Sequence, residues 1–192
     1  MKTEYIFTSE RIGFRNWTDQ DLEAFAAINS NPEVMEHFPQ VLSLKETAEL
    51  INRLKARYAK NGYCYFATEI LETGEFIGFI GLDYKDFKSN FTPAVDIGWR
   101  LKKSVWGKGY APEGAKRCLE FAFDDLNLEK IIAICPETNV NSEKVMKKIG
   151  MKKIGVFKHP LLQAYPDLEK CLCYEINSTI KEGLVLPIKS TK

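Results

Sequence analysis

Apolar residues recur along this chain with two different periods, and the alternation between them predicts the order of the elements. Ile6 to Trp17 reads as an opening strand. Thr18-Asp-Gln-Asp21 then carries a helix start signal, and Leu22, Phe25, Ala26 and Ile28 follow at helical spacing until Asn31-Pro32 turns the chain. Ser43-Leu-Lys-Glu46 is a stronger capping box. It opens a helix whose apolar positions Leu44, Ala48, Ile51 and Leu54 run on to a stop at Asn61-Gly62. Three strand-like runs come next, Tyr63 to Ile70, Phe76 to Tyr84 and Ala94 to Leu101, separated by turn residues and predicted to form an antiparallel meander. Ala111, Ala115, Cys118, Leu119, Ala122 and Phe123 make a helical stripe, with Pro112 tolerated in the first turn. Ile131-Ile-Ala-Ile-Cys135 is a continuous apolar run, the form of a strand covered on both faces. A short helix from Ser142 to Ile149 ends at Gly150, and strands at Met151 to Phe157 and Cys171 to Ile176 close the series. The order is βαα, βββ, α, β, α, ββ. Nothing marks an internal boundary, so one domain is expected over residues 1–177, with a tail at 178–192 that contains the apolar stretch Leu184-Val-Leu-Pro-Ile188.

Composition narrows the class of function. With 192 residues, 45% hydrophobic and 28% charged, the chain can bury a sizeable core and is neither disordered nor fibrous. Its 27 Lys and Arg against 26 Asp and Glu leave a net charge of +1, so no global field favours nucleic acid or an anionic membrane, and any anion site must be local. The five cysteines, Cys64, Cys118, Cys135, Cys171 and Cys173, lie mostly in apolar runs, as buried free thiols of a reducing compartment do. With only His37 and His159 as further soft ligands, no metal site is expected. The opening residues lack the apolar stretch of a signal peptide, which predicts a cytoplasmic location.

The chemistry concentrates in two loops that lead from strands into helices. Gly107-x-Gly109 stands between the strand ending at Leu101 and the helix from Ala111. Such a turn lets backbone approach a ligand closely, and the free N–H groups of the helix start favour a phosphate; a tight turn requiring positive φ is the plainer alternative. The stretch is neither a P-loop nor a G-x-G-x-x-G fingerprint, because Pro112 takes the third glycine's place. The second loop is Asn139-Val-Asn-Ser142, after the covered strand, where Ser142 is placed to cap a helix, to bind, or both.

Four ordered segments carry a resemblance: Ser9-Glu-Arg-Ile-Gly-Phe-Arg15, Asp96-Ile-Gly-Trp99, Val105-Trp-Gly-Lys-Gly-Tyr-Ala-Pro-Glu-Gly114 and Asn139-Val-Asn-Ser-Glu-Lys-Val-Met-Lys-Lys-Ile-Gly150. Together, across about Glu10 to Ile176, they resemble the GCN5-related N-acetyltransferase (GNAT) superfamily, in particular the branch of bacterial ribosomal-protein N-terminal acetyltransferases. The resemblance implies an α+β fold with a central mixed, mostly antiparallel sheet of six or seven strands flanked by about four helices. It also implies acetyl-CoA as cosubstrate and a primary amine as acceptor, with no metal, nucleic acid or membrane involved. In that family the strand before the glycine loop splays from its neighbour, the pantetheine arm lies in the gap, and the loop amides hold the pyrophosphate. Ile97, Trp99 and Leu101, then Val105, Trp106, Gly107, Lys108, Gly109 and Tyr110, inherit the cofactor role, with Asn139 and Ser142 on the far side.

Two departures stand out. Ser104 occupies the place of the usual Gln or Arg, which throws phosphate binding onto backbone amides and Lys102, Lys103 or Lys108. Met146 occupies the place of the usual tyrosine acid, which leaves Ser142 as the nearest polar donor to the departing thiolate. Acetyl transfer also needs a proton path from the attacking amine, and Asp96, on the strand leading to the loop, is the candidate base, directly or through water, a strand-edge or solvent-facing charge being the plainer alternative. No cysteine sits beside a histidine as a covalent relay, so direct transfer in a ternary complex is expected. The acceptor is left open between a protein N-terminus and a small amine, to be set by residues 29–43 and 159–169, and a non-catalytic acyl-CoA sensor is the rival of another class. The oligomeric state is open too.

Overall fold

The computed structural model describes residues 4–178; the first three residues and nearly all of the tail at 178–192 lie outside it. Eight strands form one sheet in the order β1-β2-β3-β4-β5-β6-β8-β7. They are β1 (Phe7–Thr8), β2 (Ile12–Arg15), β3 (Tyr65–Ile70), β4 (Glu75–Lys85), β5 (Ala94–Leu101), β6 (Lys130–Pro136), β7 (Lys152–Lys158) and β8 (Lys170–Asn177). The helices are α1 (Leu22–Asn29), α2 (Leu44–Asn61), α3 (Tyr110–Glu120), α4 (Val140–Lys148) and the single turn α5 (Pro166–Glu169).

The expected sheet gains a strand at its edge. The opening run is not one strand but two, because the Ser9 N–H reaches the Ile12 carbonyl at 2.8 Å and folds Phe7 back opposite Phe14. A helix is gained as well, since Pro166 at a first-turn position starts α5 inside a segment with no helical period. Both capping boxes form: Thr18 with Asp21, and Ser43 with Glu46, where the Glu46 N–H donates to Ser43 Oγ at 3.2 Å. Gly62 ends α2 in the left-handed region at φ 75°.

Directly opposed residues of β4 and β5 divide the sheet into two faces. Phe79, Gly81 and Asp83 stand opposite Arg100, Gly98 and Asp96 on one face. On that face α1 packs through Phe25, which meets the rings of Phe79, Phe76 and Trp17. The other face carries Ile80, against which Gly114 of α3 sits closely. Phe14, Phe25 and Phe66 are fully buried, each worth about 1.5–3 kcal/mol of hydrophobic stabilisation.

The feature that positions the site is the junction between β5 and β6. All other neighbours are antiparallel, whereas these two are parallel and pair at a single register position, Asp96 with Ile132. Beyond it the strands separate, and β6 pairs with β8 along its whole length.

Candidate active site

At the fork the sheet opens into a cleft of about 710 Å³ between β5, β6, the turn before α3 and the start of α4. Asp96 stands at its root, 5% exposed, and its carboxylate holds the two sides together. It accepts the Tyr65 hydroxyl of β3 at 2.5 Å and the Ile134 backbone N–H of β6. Tyr65 reaches it because Gly98 has no side chain: a Cβ there would lie 3.0 Å from the tyrosine ring. Lys85, at the end of β4, puts its ammonium 5.0 Å from the Tyr65 ring centroid and donates to Asp83 Oδ2 at 2.8 Å.

The electrostatics at the root are those of a carboxylate removed from water. Burial pushes the Asp96 carboxyl up to about 6, although the Lys85 charge and the Tyr65 and Ile134 hydrogen bonds pull it part of the way back. Burial and the neighbouring Asp96 charge raise the Tyr65 phenol, so it stays a donor. Asp96 is therefore ionised at neutral pH yet holds a proton more readily than an exposed aspartate, which suits a general base.

The other wall of the cleft carries unpaired backbone donors. Gly107 and Gly109 take φ 76° and 86°, in the left-handed region that glycine adopts without strain. The Gly107, Lys108 and Gly109 N–H groups donate to no described residue, and Gly109 caps α3. A Cβ at Gly107 would meet nothing within 4 Å, so its surroundings are open to a ligand. Arg11 braces the turn, bonding the Lys108 carbonyl at 3.2 Å, the Glu113 carboxylate at 2.6 Å, and lying 4.5 Å from the Tyr110 ring centroid.

Across the gap, Asn139 is the N-cap of α4, its side chain accepting the Ser142 N–H at 3.0 Å. The capping role weighed for Ser142 thus belongs to Asn139. Ser142 lies in the first turn, half-buried on the cleft wall, and its hydroxyl bonds no described residue. Its neighbour Glu143 is engaged by Tyr174 at 2.6 Å and Lys147 at 2.9 Å. Cys135 also lines the cleft, but burial pushes its thiol up to about 12, which keeps it protonated and a poor nucleophile.

Over residues 11–152 the chain matches the family model described as the acetyltransferase (GNAT) domain. The chain belongs to the GNAT acetyltransferase family. Among curated relatives, the uncharacterized N-acetyltransferase YnaD of Bacillus subtilis (strain 168) is 34% identical over 152 residues, which are 79% of this chain and 85% of that protein. The crystal structure of an acetyltransferase (GNAT family) from Bacillus anthracis superposes with a TM-score of 0.75 at 27% identity, covering 90% of this chain and 98% of that one. The aminoglycoside acetyltransferase AAC(6')-Ib, solved in complex with coenzyme A, shares the fold at a TM-score of 0.73 and 18% identity over 90% of this chain and 98% of its own. Enzyme class follows from membership: this is an N-acetyltransferase.

Within the GNAT frame most residues singled out in the sequence come together. Asp96, Ile97, Trp99 and Leu101 of β5, then Val105, Trp106, Gly107, Gly109 and Tyr110, and Asn139 and Ser142 opposite, all line the one cleft. Lys108 does not; its side chain is exposed, away from the lining. Lys102 and Lys103 are also turned aside, to the carboxylates of Glu75 and Glu33. Lys144 and Lys148 of α4 do line the cleft. Of the two segments expected to shape the acceptor side, the loop after α1 contributes His37 and Phe38, whereas residues 159–169 do not reach it. Tyr65, Lys85 and Arg100 went unnoticed in the sequence. A signal existed: Asp96, Gly98 and Arg100 fill every second place of a strand whose other places are apolar, which marks a polar face on a covered strand. Among the described residues no group of His, Cys, Asp and Glu is placed to hold a metal ion, and no helix is long and apolar enough to cross a membrane.

Proposed function

We propose that this GNAT enzyme transfers an acetyl group from acetyl-CoA to a primary amine by direct attack in a ternary complex. The reading rests above all on the fork, where β5 and β6 part immediately beyond Asp96. Backbone freed by the parting flanks the gap in which the pantetheine arm lies, and the amides of Gly107 to Gly109 receive the pyrophosphate. Lys144 and Lys148 supply positive charge at the phosphate end. The acceptor amine approaches on the opposite face, where Asp96 takes its proton directly or through water. Ser142 donates to the departing thiolate, and the protonated Cys135 leaves no covalent relay.

The position of the Asp96 equilibrium bears on the acceptor. Moving a proton from a lysine-like ammonium of pKa about 10.4 to a carboxyl near 6 is uphill by about 6 kcal/mol, against roughly 2 to 3 kcal/mol for an α-ammonium of pKa about 7.7 to 8.0. An α-amine with a pKa in this range is the better match, as at a peptide N-terminus or in a small α-amino compound whose carboxylate is neutralised. Acetyl-CoA at 100 times its dissociation constant should stabilise the fold by about 2.7 kcal/mol, read as a rise in melting temperature. Release of coenzyme A thiol with an amine panel then tests transfer. No shift in melting temperature refutes cofactor binding, while a shift without transfer to any amine points to an acyl-CoA sensor.

A further inference from the structure

Arg100 is a cleft cation that this reaction does not use. It stands four residues along β5 from Asp96 on the same face, with its guanidinium 4.0 Å from the Phe38 ring centroid and 5.4 Å from that of Phe79. Phe79 in turn stacks on Tyr65 at 4.8 Å, so Arg100 and the Asp96–Tyr65 pair share one aromatic platform. The guanidinium makes one hydrogen bond, from Nη1 to Asn29 Oδ1 at 2.7 Å. Nε is buried without a partner, Nη2 donates to no described residue, and no described carboxylate comes within ion-pair distance. The unpaired edge is the Nε–Nη2 edge, whose two parallel N–H bonds match the two oxygens of a carboxylate.

The acids near the mouth do not answer this charge. Glu33 is paired with Lys103, and Glu36 is exposed, 3.8 Å from His37. Burial without a counter-ion pulls the Arg100 guanidinium down to about 10, so it remains charged at neutral pH but at a disadvantage that an arriving anion would remove.

We propose that Arg100 anchors a carboxylate carried by the acceptor, so that the substrate is an amino acid held with its amine toward Asp96, directly or through water, and its carboxylate on Arg100. The inference rests on the acetyl-transfer reading above and adds the acceptor class to it. Neutralising the carboxylate also removes the charge that keeps an amino acid's ammonium protonated, which brings the amine closer to the reach of Asp96. A polyamine is a poor fit, because Arg100 and Lys85 would both face it as like charges.

The test uses the full chain, acetyl-CoA, and a panel of L-amino acids each paired with its carboxamide, followed by thiol release. The wild-type protein should prefer an acid over its amide by about tenfold to a hundredfold in kcat/KM, the scale of a charge-assisted hydrogen bond. In Arg100→Gln the ratio should fall toward one, and Arg100→Lys, which keeps the charge without the fork, should restore part of it. Equal rates on acids and amides with the wild-type protein overturn the proposal, as does an acid preference that survives in Arg100→Gln, or a peptide N-terminus preferred to every free amino acid. The wild-type panel decides the matter even if a variant fails to fold. A rise in melting temperature with acetyl-CoA, measured on the same samples, separates the two levels. If it is present and no amino acid is acetylated, the carboxylate anchor fails and acetyl-CoA binding stands; if it is absent, the underlying reading fails as well.

Discussion

Two arginines on the same sheet, one buried and one half-buried, are treated in opposite ways. Arg15 on β2 is fully matched: Nη1 and Nη2 reach the two Asp21 oxygens at 2.8 and 2.6 Å, Nε reaches Glu69 at 2.7 Å, and Nη1 also bonds the Asn16 carbonyl. Tyr5 takes the second Glu69 oxygen at 3.0 Å. Burial by itself would lower the Arg15 pKa, but the hydrogen bonds and charges of Asp21 and Glu69 outweigh it and raise it. Arg100 has one amide partner and no carboxylate, and its pKa falls to about 10. In the same cleft the Asp96 carboxyl, without a cation bonded to it, is pushed up to about 6 by burial. One cluster is complete within the fold, while the other is left incomplete where a substrate can enter. Charges that hold a structure together are matched by the chain itself, and charges that serve a ligand are matched only when it arrives.

The sharpest separation between the two clusters should come from Asp96→Asn. Removing the proposed base should lower kcat/KM by about 10² to 10⁴, the range of general-base catalysis, while acetyl-CoA binding persists. The same variant should be more stable at pH 7.5. The folded-state pKa near 6 lies above the ordinary aspartate value, so Asp96 favours the fold while protonated, and that contribution is lost as pH rises from about 4 through 6. Asparagine avoids the loss, worth roughly 1 to 3 kcal/mol in denaturant titration. A variant both slow and less stable would place Asp96 with the structural charges.

Arg15→Met should do the reverse. It strands Asp21 and Glu69 in the interior and should cost about 3–5 kcal/mol of stability, whereas Arg100→Met removes a charge without a counter-ion, leaves only the Asn29 Oδ1 without its donor, and should cost about 1–2 kcal/mol. Equal losses in urea titration would erase the distinction between the two arginines.

Ser142→Ala should lower kcat by about tenfold to a hundredfold, near 1.4 to 2.7 kcal/mol, with little change in acetyl-CoA affinity. The α4 cap is Asn139, so melting temperature should hold. Full activity in the alanine variant would leave solvent as the proton donor to the thiolate.

The smallest expected effects are shifts of the pH profile. Activity should fall below about pH 6 as Asp96 takes up its proton. The Lys85 charge and the Tyr65 hydroxyl both lower the Asp96 pKa, Lys85 more strongly, so Lys85→Met should move the acid limb upward by about one unit and Tyr65→Phe by less. A limb that stays in place in both variants would mean that a group other than Asp96 sets it.

Much of this was readable in the chain before folding. The Ser43–Glu46 box, the Gly62 stop and the Gly107–Gly109 turn involve atoms a few residues apart, so residue type and spacing specify them directly. The strand alternation likewise placed Asp96 and Trp99 on their faces once β5 was recognised. Tertiary structure alone decided the rest. Tyr65 meets Asp96 across 31 positions, Arg15 meets Glu69 across 54, and Lys102 and Lys103 leave the glycine turn for Glu75 and Glu33. Such pairs depend on strand register, and a slip of one residue would turn every side chain of a strand to the opposite face. Register is set by the packing of the whole sheet against its helices, a sum over distant contacts that no local spacing encodes. The same sum brings Phe38 over Arg100 and leaves Arg15 with two carboxylates and Arg100 with none.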